Sequence, residues 1–221
     1  MTNSRSATLS ETVADALRQA LIDGVYVCGE RLVELTIAQE MNVSQNTARD
    51  ALRLLEQQGW VMKRARHGVH VRTFTPDEAE ELYVLRGALE GLALGWALET
   101  MDDAQAETLR RLIAEGQEQV EAHHLAVGRE AMFAFHAALP RLAQRPNTAA
   151  MIAMLHSHSR LLENLREAHA PRDRKQWRAL LAEYAALVGL MAARDRDAAQ
   201  AALQAILQRE SKATLAVLDL L

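Results

Sequence analysis

Two short stretches of this 221-residue chain hold side chains suited to reading a nucleic acid. The first is Ser44-Gln45-Asn46-Thr47-Ala48-Arg49, with Arg53 one helical turn further on. Gln and Asn pair with the adenine edge in a major groove, and Arg reaches a guanine edge or a phosphate. The second is Arg64-Ala65-Arg66-His67-Gly68. Its cations suit phosphates or a minor groove, and a glycine lets backbone approach the sugar-phosphate chain. A solvated arginine face and a charged surface loop use the same residue types. The order of the elements around them therefore decides.

Caps and apolar spacing place those elements. Thr8-x-x-Glu11 has capping-box spacing and opens a helix with Val13, Leu17, Ala20 and Leu21 on one face. Gly24 is its natural stop. A second helix is expected over about 34–41, with Ile37, Ala38 and Met41 apolar and Asn42 as a left-handed stop. Ser44 caps a third, which Ala48, Ala51, Leu52 and Leu55 fasten to a core and Gly59 ends. Trp60-Val61-Met62 and Gly68-Val69-His70-Val71 then alternate as two strands joined by the basic loop. Helix, turn, polar-faced helix and basic hairpin in that order predict a winged helix-turn-helix. Gln45, Asn46, Thr47 and Arg49 lie on the first turn and a half of its recognition helix.

Charge is distributed to match. The chain is formally −4, which taken whole argues against nucleic acid. Residues 1–75, however, carry nine Lys/Arg and eight Asp/Glu, against 16 and 21 in residues 76–221. Lys63, Arg64, Arg66 and Arg72 fall in 61–75 with no acid among them.

Thr75-Pro76 marks a junction, because the residue before Pro avoids the α region and Pro suits a first helical turn. Beyond it six helices are expected, over 77–100, 103–125, 128–144, 147–169, 172–194 and 196–218, with a stop at Gly128. Short connections predict an antiparallel bundle. Composition agrees: the chain is 49% hydrophobic but 4% aromatic, and Ala and Leu supply the apolar content. The fold class is mainly α, with domains at 1–75 and 76–221. Gly87, Gly91 and Gly95 make a small-residue stripe, read as close packing in the bundle or as a dimer contact.

The remaining chemistry is sparse. Arg86 lies one turn from Tyr83 and four residues before Glu90. It can form an i, i+4 ion pair or offer its fork to a carboxylate, and both readings stay open. A helical-bundle metalloenzyme is the alternative function, but only Glu121-x-x-His124 has the di-iron spacing. No His-Glu-x-x-His, phosphate loop or nucleophile motif is present, so no enzyme is expected. His123, His124, His156, His158 and His169 read as solvated or capping residues. Cys28 stands alone, so no intrachain disulfide can form. Residues 1–10 hold no apolar signal segment, and the longest uncharged run, Pro146 to Ser159, is too polar to span a membrane. A cytoplasmic location without membrane association is expected.

The motif Leu9-Ser10-Glu11 … Gly24 … Cys28-Gly29-Glu30-Arg31-Leu32-Val33-Glu34 … Val43-Ser44-x-x-x-Ala48-Arg49-Asp50-Ala51-Leu52-x-x-Leu55 … Gly59-Trp60-Val61 … Gly68-x-x-Val71 resembles the winged helix of the GntR superfamily of bacterial regulators. Leu85-Arg86-x-x-Leu89-Glu90-x-x-Ala93 and Phe135-His136-x-x-Leu139 resemble the FCD effector domain of its FadR/VanR branch. Six bundle helices suit the VanR-like subgroup. The resemblance implies a repressor that binds double-stranded operator DNA as a homodimer and responds to a small molecule. It puts DNA contacts at Gln45, Asn46, Thr47 and Arg49 and the wing tip at His67-Gly68; the residue pattern itself adds Ser44, Arg53, Arg64 and Arg66 to the expected DNA-binding set. There are departures. Gln45-Asn46-Thr47-Ala48 stands where the family usually has Arg-Thr-Pro-Val, Leu35 where an Arg is common, and Asn42 where Gly is usual. A different operator is the expected consequence.

FCD domains commonly hold a divalent metal through one Asp and three His. At the matching positions this chain has Met132, His136, Tyr184 and Ile206. One imidazole does not hold a metal, so neither metal nor other cofactor is expected. The resemblance puts His136 and Tyr184 on one interior, made greasier by Met132 and Ile206. The expected effector is a small organic acid held by Arg86, with Arg160 and Asn164 as further polar groups.

Overall fold

Thr8 opens the first helix: its side chain accepts from the Glu11 amide while Glu11 reaches back to the Thr8 backbone. The computed structural model describes residues 8–221, so the expectation for the extreme N-terminus lies outside the described residues. Helix α1 (Leu9–Ile22) is followed by a two-residue strand β1 (Arg31–Leu32), α2 (Glu34–Glu40), α3 (Gln45–Gln57), β2 (Val61–Arg64) and β3 (Gly68–Val71). The strands form one antiparallel sheet in the order β1-β3-β2, with Val61 opposite Val71 and Arg64 opposite Gly68. The sequence pattern shows only two of these strands. β1 is too short for an alternation to register, and its pairing with Val69 and His70 of β3 defines it.

Two compact units result. The first contains the described residues up to Phe74 together with Ser157–Ala168, which the division at Pro76 had left with the bundle. Its core joins Leu17 and Leu21 of α1, Ile37 of α2, Ala48, Leu52 and Leu55 of α3, Trp60, Val71 and Leu161. Asn42 supplies the turn between α2 and α3 at φ 51, a left-handed conformation that Asn tolerates.

The second unit, Thr75–His156 and His169–Leu221, is helical. It contains α4 (Pro76–Thr100), α5 (Asp103–Glu121), α6 (Leu125–Ala143), the start of α7 (Pro146–His169), α8 (Arg174–Ala192) and α9 (Arg196–Leu218). Thr75, Asp102 and Asp173 each build a capping box. Helix α4 packs on α6 and α9, and α5 on α6 and α8. Gly87 and Gly95 of the glycine stripe admit the Gln204, Gln200 and Arg196 side chains of α9, while nothing lies within 4 Å of a Cβ built at Gly91. At its two ends, then, the stripe is a seam inside the bundle.

The expected stop at Gly128 is wrong. Helix α5 ends seven residues earlier, His123 makes the turn at φ 66, and Gly128 lies inside α6. Its role is close approach: a Cβ there would sit 2.4 Å from Val120 Cγ2, and Val120 is fully buried. Gly128→Ala should therefore destabilise by about 1–3 kcal/mol, although Ala is the better helix former. Urea denaturation checks this, and a variant as stable as the parent would show that α5 and α6 can part freely.

Candidate functional site

The recognition helix is built as its cap requires. Ser44 accepts from the Thr47 amide at 3.1 Å and exchanges a 2.8 Å hydrogen bond with the Thr47 hydroxyl, so both polar groups serve the helix end. Glu34, the first residue of α2, gathers two of the residues expected to contact DNA, Arg49 and Gln45. The Arg49 guanidinium donates to its carboxylate through Nε at 3.1 Å and Nη2 at 2.8 Å, and Gln45 Nε2 donates at 3.2 Å. The hydrogen bond from Arg49 holds the Glu34 carboxyl below the usual carboxylate range. Arg53 pairs with Asp50 at 3.3 Å in the open.

The wing turns through Arg66 at φ 64 and Gly68 at φ 89, which leaves the exposed Arg66 and His67 at its tip. Arg64 donates to the Thr73 hydroxyl, and the two ring nitrogens of His70 face the carbonyl oxygens of Gly29 and His67, both at 3.1 Å. These bonds fix the hairpin beneath its tip. Sequence reasoning missed Glu34, whose partners Gln45 and Arg49 lie on another helix, and His70, which ties His67 to the distant Gly29.

The second unit holds a buried polar cluster. Its centre is Glu90 of α4, with no exposed surface. Glu90 accepts from Arg86 Nε at 2.7 Å and faces His136 Nδ1 at 2.5 Å and His156 Nε2 at 3.2 Å. His136 Nε2 meets the Tyr184 hydroxyl at 2.6 Å. Burial opposes the charge on Glu90, but Arg86 and then His136 outweigh it and hold the carboxyl well below its usual range. Burial likewise opposes the charge on Arg86 and is overcome by Glu90. Burial wins at His136, whose value falls to about 4 despite the pull of Glu90, and it pushes the Tyr184 phenol well up. The imidazole is thus neutral. It donates from Nδ1 to Glu90 and accepts at Nε2 from Tyr184. Arg86 Nη2, buried like the rest of the side chain, has no hydrogen-bond partner.

The structure thus unites Arg86, His136 and Tyr184 around a residue read only as an ion-pair partner, and adds His156, which had looked like a solvated histidine. Met132 and Ile206 are buried on α6 and α9. Arg160 and Asn164 belong to the first unit. The Asn164 amide donates to the carbonyls of Leu21 and Ile22 at 2.7 and 3.0 Å, closing the end of α1. The expectation that it lines the effector pocket is corrected by those bonds.

Comparison with known proteins matches residues 9–71 to the gntR family of bacterial regulatory proteins and residues 81–209, over half of the chain, to the FCD domain. This chain is a GntR-family transcription regulator with an FCD domain. An uncharacterized HTH-type transcriptional regulator of Bacillus subtilis, YdhC, is 28% identical over 104 residues, 47% of this chain and 46% of that protein. The Exu regulon transcriptional regulator of Escherichia coli K12 is 38% identical over 69 residues, 31% of this chain and 27% of that protein. The matches span less than half of either relative. Among solved structures, Escherichia coli McbR/YncC shares the fold at TM-score 0.81 and 20% identity, over 92% of this chain and 95% of that one. A putative GntR regulator of Rhodococcus sp. RHA1 gives TM-score 0.80 at 26% identity, over 94% and 97%. Such regulators are not enzymes, and the metalloenzyme alternative has no support. No helix among the described residues is long and apolar enough to cross a membrane.

The metal common in FCD domains does not fit the residues here. Met132, Tyr184 and Ile206 replace three ligands, and Tyr184 occupies the free nitrogen of the fourth. A different trio, Glu90, His136 and His156, does bring its donor atoms within 4.8 Å of one another. Its only carboxylate, however, is the counter-ion of Arg86.

Proposed function

We propose that this regulator binds a pseudo-palindromic operator as a cytoplasmic homodimer, and that a small organic acid seated against Arg86 changes its DNA affinity. Repression relieved by the acid is the sense we assign. The observation that carries the reading is the buried, unpartnered Nη2 of Arg86. Glu90 engages Nε and leaves Nη2 as an unused donor of the guanidinium fork. A carboxylate is the ligand that such a fork matches. With Glu90 neutralising Arg86 and the His136 imidazole uncharged, the incoming anion is bound by directed donors rather than by a large field. DNA is contacted by Gln45, Asn46, Thr47, Arg49 and Arg53 of α3 and by the wing residues Arg64, Arg66, His67 and Gly68. Gln45 in place of Arg moves the preferred operator away from the family's usual one.

Fluorescence anisotropy on duplex DNA from upstream of the gene, titrated with a panel of carboxylates, tests this. At least one carboxylate should shift the apparent Kd about tenfold, the size of an ordinary coupling free energy. Arg86→Lys keeps the counter-charge of Glu90 and loses the fork. It should require at least tenfold more ligand while binding DNA normally in its absence. An unchanged ligand response in Arg86→Lys, or a response only to neutral or cationic compounds, would refute the assignment.

A further inference from the structure

We propose that Glu34 is a specificity-determining residue: by holding Arg49 and Gln45 on one carboxylate it sets them as a single reading pair, Arg49 for a guanine and Gln45 for an adenine close by. This rests on the reading that α3 enters the major groove. Arg49 binds Glu34 along one edge of its guanidinium, Nε and Nη2. Because the group is planar, that contact also orients the opposite fork, Nη1 and Nη2, which is the edge that reads guanine O6 and N7. Asn46 Oδ1, 3.4 Å from Nη1, braces the same plane.

Gln45 is fixed by the same logic. A carboxylate only accepts, so the group facing Glu34 must be the amide nitrogen, as found at 3.2 Å. One N–H and the Oε1 oxygen remain, the complementary pair for adenine N7 and N6. Arg49 and Gln45 are four residues apart on α3 and so share a face. Each long side chain is thereby ordered before DNA arrives, and less rotamer freedom remains to be lost on binding. Glu34 itself lies on α2 and contacts no base in this arrangement.

The test uses the full chain and two variants, Glu34→Gln and Glu34→Ala. Each is used to select duplexes from a random pool at fixed salt, and affinities are then measured for the selected duplex and for its single-base substitutions. The parent should select a half-site containing a guanine and a nearby adenine. Both variants should lose about tenfold in discrimination at those two positions, the scale of one bidentate base contact. Their affinity for unrelated DNA should hold or tighten, because a negative charge facing the backbone is gone. A merely structural role would weaken both kinds of binding. The variants differ in how much of the contact they remove, so Glu34→Gln serves where Glu34→Ala melts early. Variants that select the parental sequence with undiminished discrimination would overturn the proposal. A parent that selects no sequence at all would instead remove the reading of α3 beneath it.

Discussion

Glu90→Ala should cost the second unit about 3–5 kcal/mol, the range for stripping one partner from a buried ion pair. That is a large part of the total stability of an ordinary domain, roughly 5–15 kcal/mol. The reason is what remains. Arg86, 4% exposed, would keep its charge with no counter-ion, and His136 and His156 would lose the acceptor they share. Exposed pairs such as Arg178 with Glu121 should respond far less, because water replaces the lost partner. Replacing both members, Arg86→Met with Glu90→Met, should recover most of the loss, since no unpaired charge is then buried. The double variant should also fail to respond to a carboxylate. Urea denaturation of the two single variants and the double variant completes the cycle. A Glu90→Ala protein within about 1 kcal/mol of the parent would mean that the cluster is hydrated and its charges are screened.

The contrast between the two units shows what a sequence makes legible. The helix-turn-helix depends on neighbours: Ser44 three residues before Thr47, Asn42 in a left-handed turn, Ala48, Ala51, Leu52 and Leu55 at helical spacing. Each is a local signal. Gly128 was misread because a glycine that stops a helix and one that lets two helices touch look alike until Val120 is seen against it. Glu34 and Glu90 are hubs whose partners come from other elements, so spacing shows at most one bond of each. His156 and His158 illustrate the same point. Two residues apart on α7, they point different ways: His156 reaches Glu90, while His158 packs on Phe74. The spacing correctly argued against a shared site. It could not say that one of them joins a site made by α4 and α6. Asn164 failed for a related reason, since its partners are backbone carbonyls that no residue pattern announces.

Acid should destabilise the second unit well above the pH at which its surface carboxylates titrate. His136 is neutral in the fold, with its value brought down from 6.5 to about 4. Between those two values the unfolded chain binds a proton that the native state refuses. Stability therefore rises with pH across that window, and it is lost as pH falls from 6.5 toward 4. The full loss from this residue is on the order of 3 kcal/mol. Glu90, held well below its usual range, adds a second loss that begins near 4.5 and deepens as the pH falls further. The two windows adjoin, so the decline should start near pH 6.5 and continue below 4.5. His136→Gln separates them. Glutamine can donate to Glu90 and accept from Tyr184 but cannot take up a proton. That variant should be nearly flat from pH 6.5 to 4.5 and should keep the fall below. Thermal or urea unfolding at half-unit pH steps reads both limbs. Stability that holds level or rises in the parent as pH drops from 6.5 to 4.5 would mean that His136 is already an imidazolium in the fold. Its bond to Glu90 would then be a second buried ion pair, and the proposed effector site would carry one more positive charge.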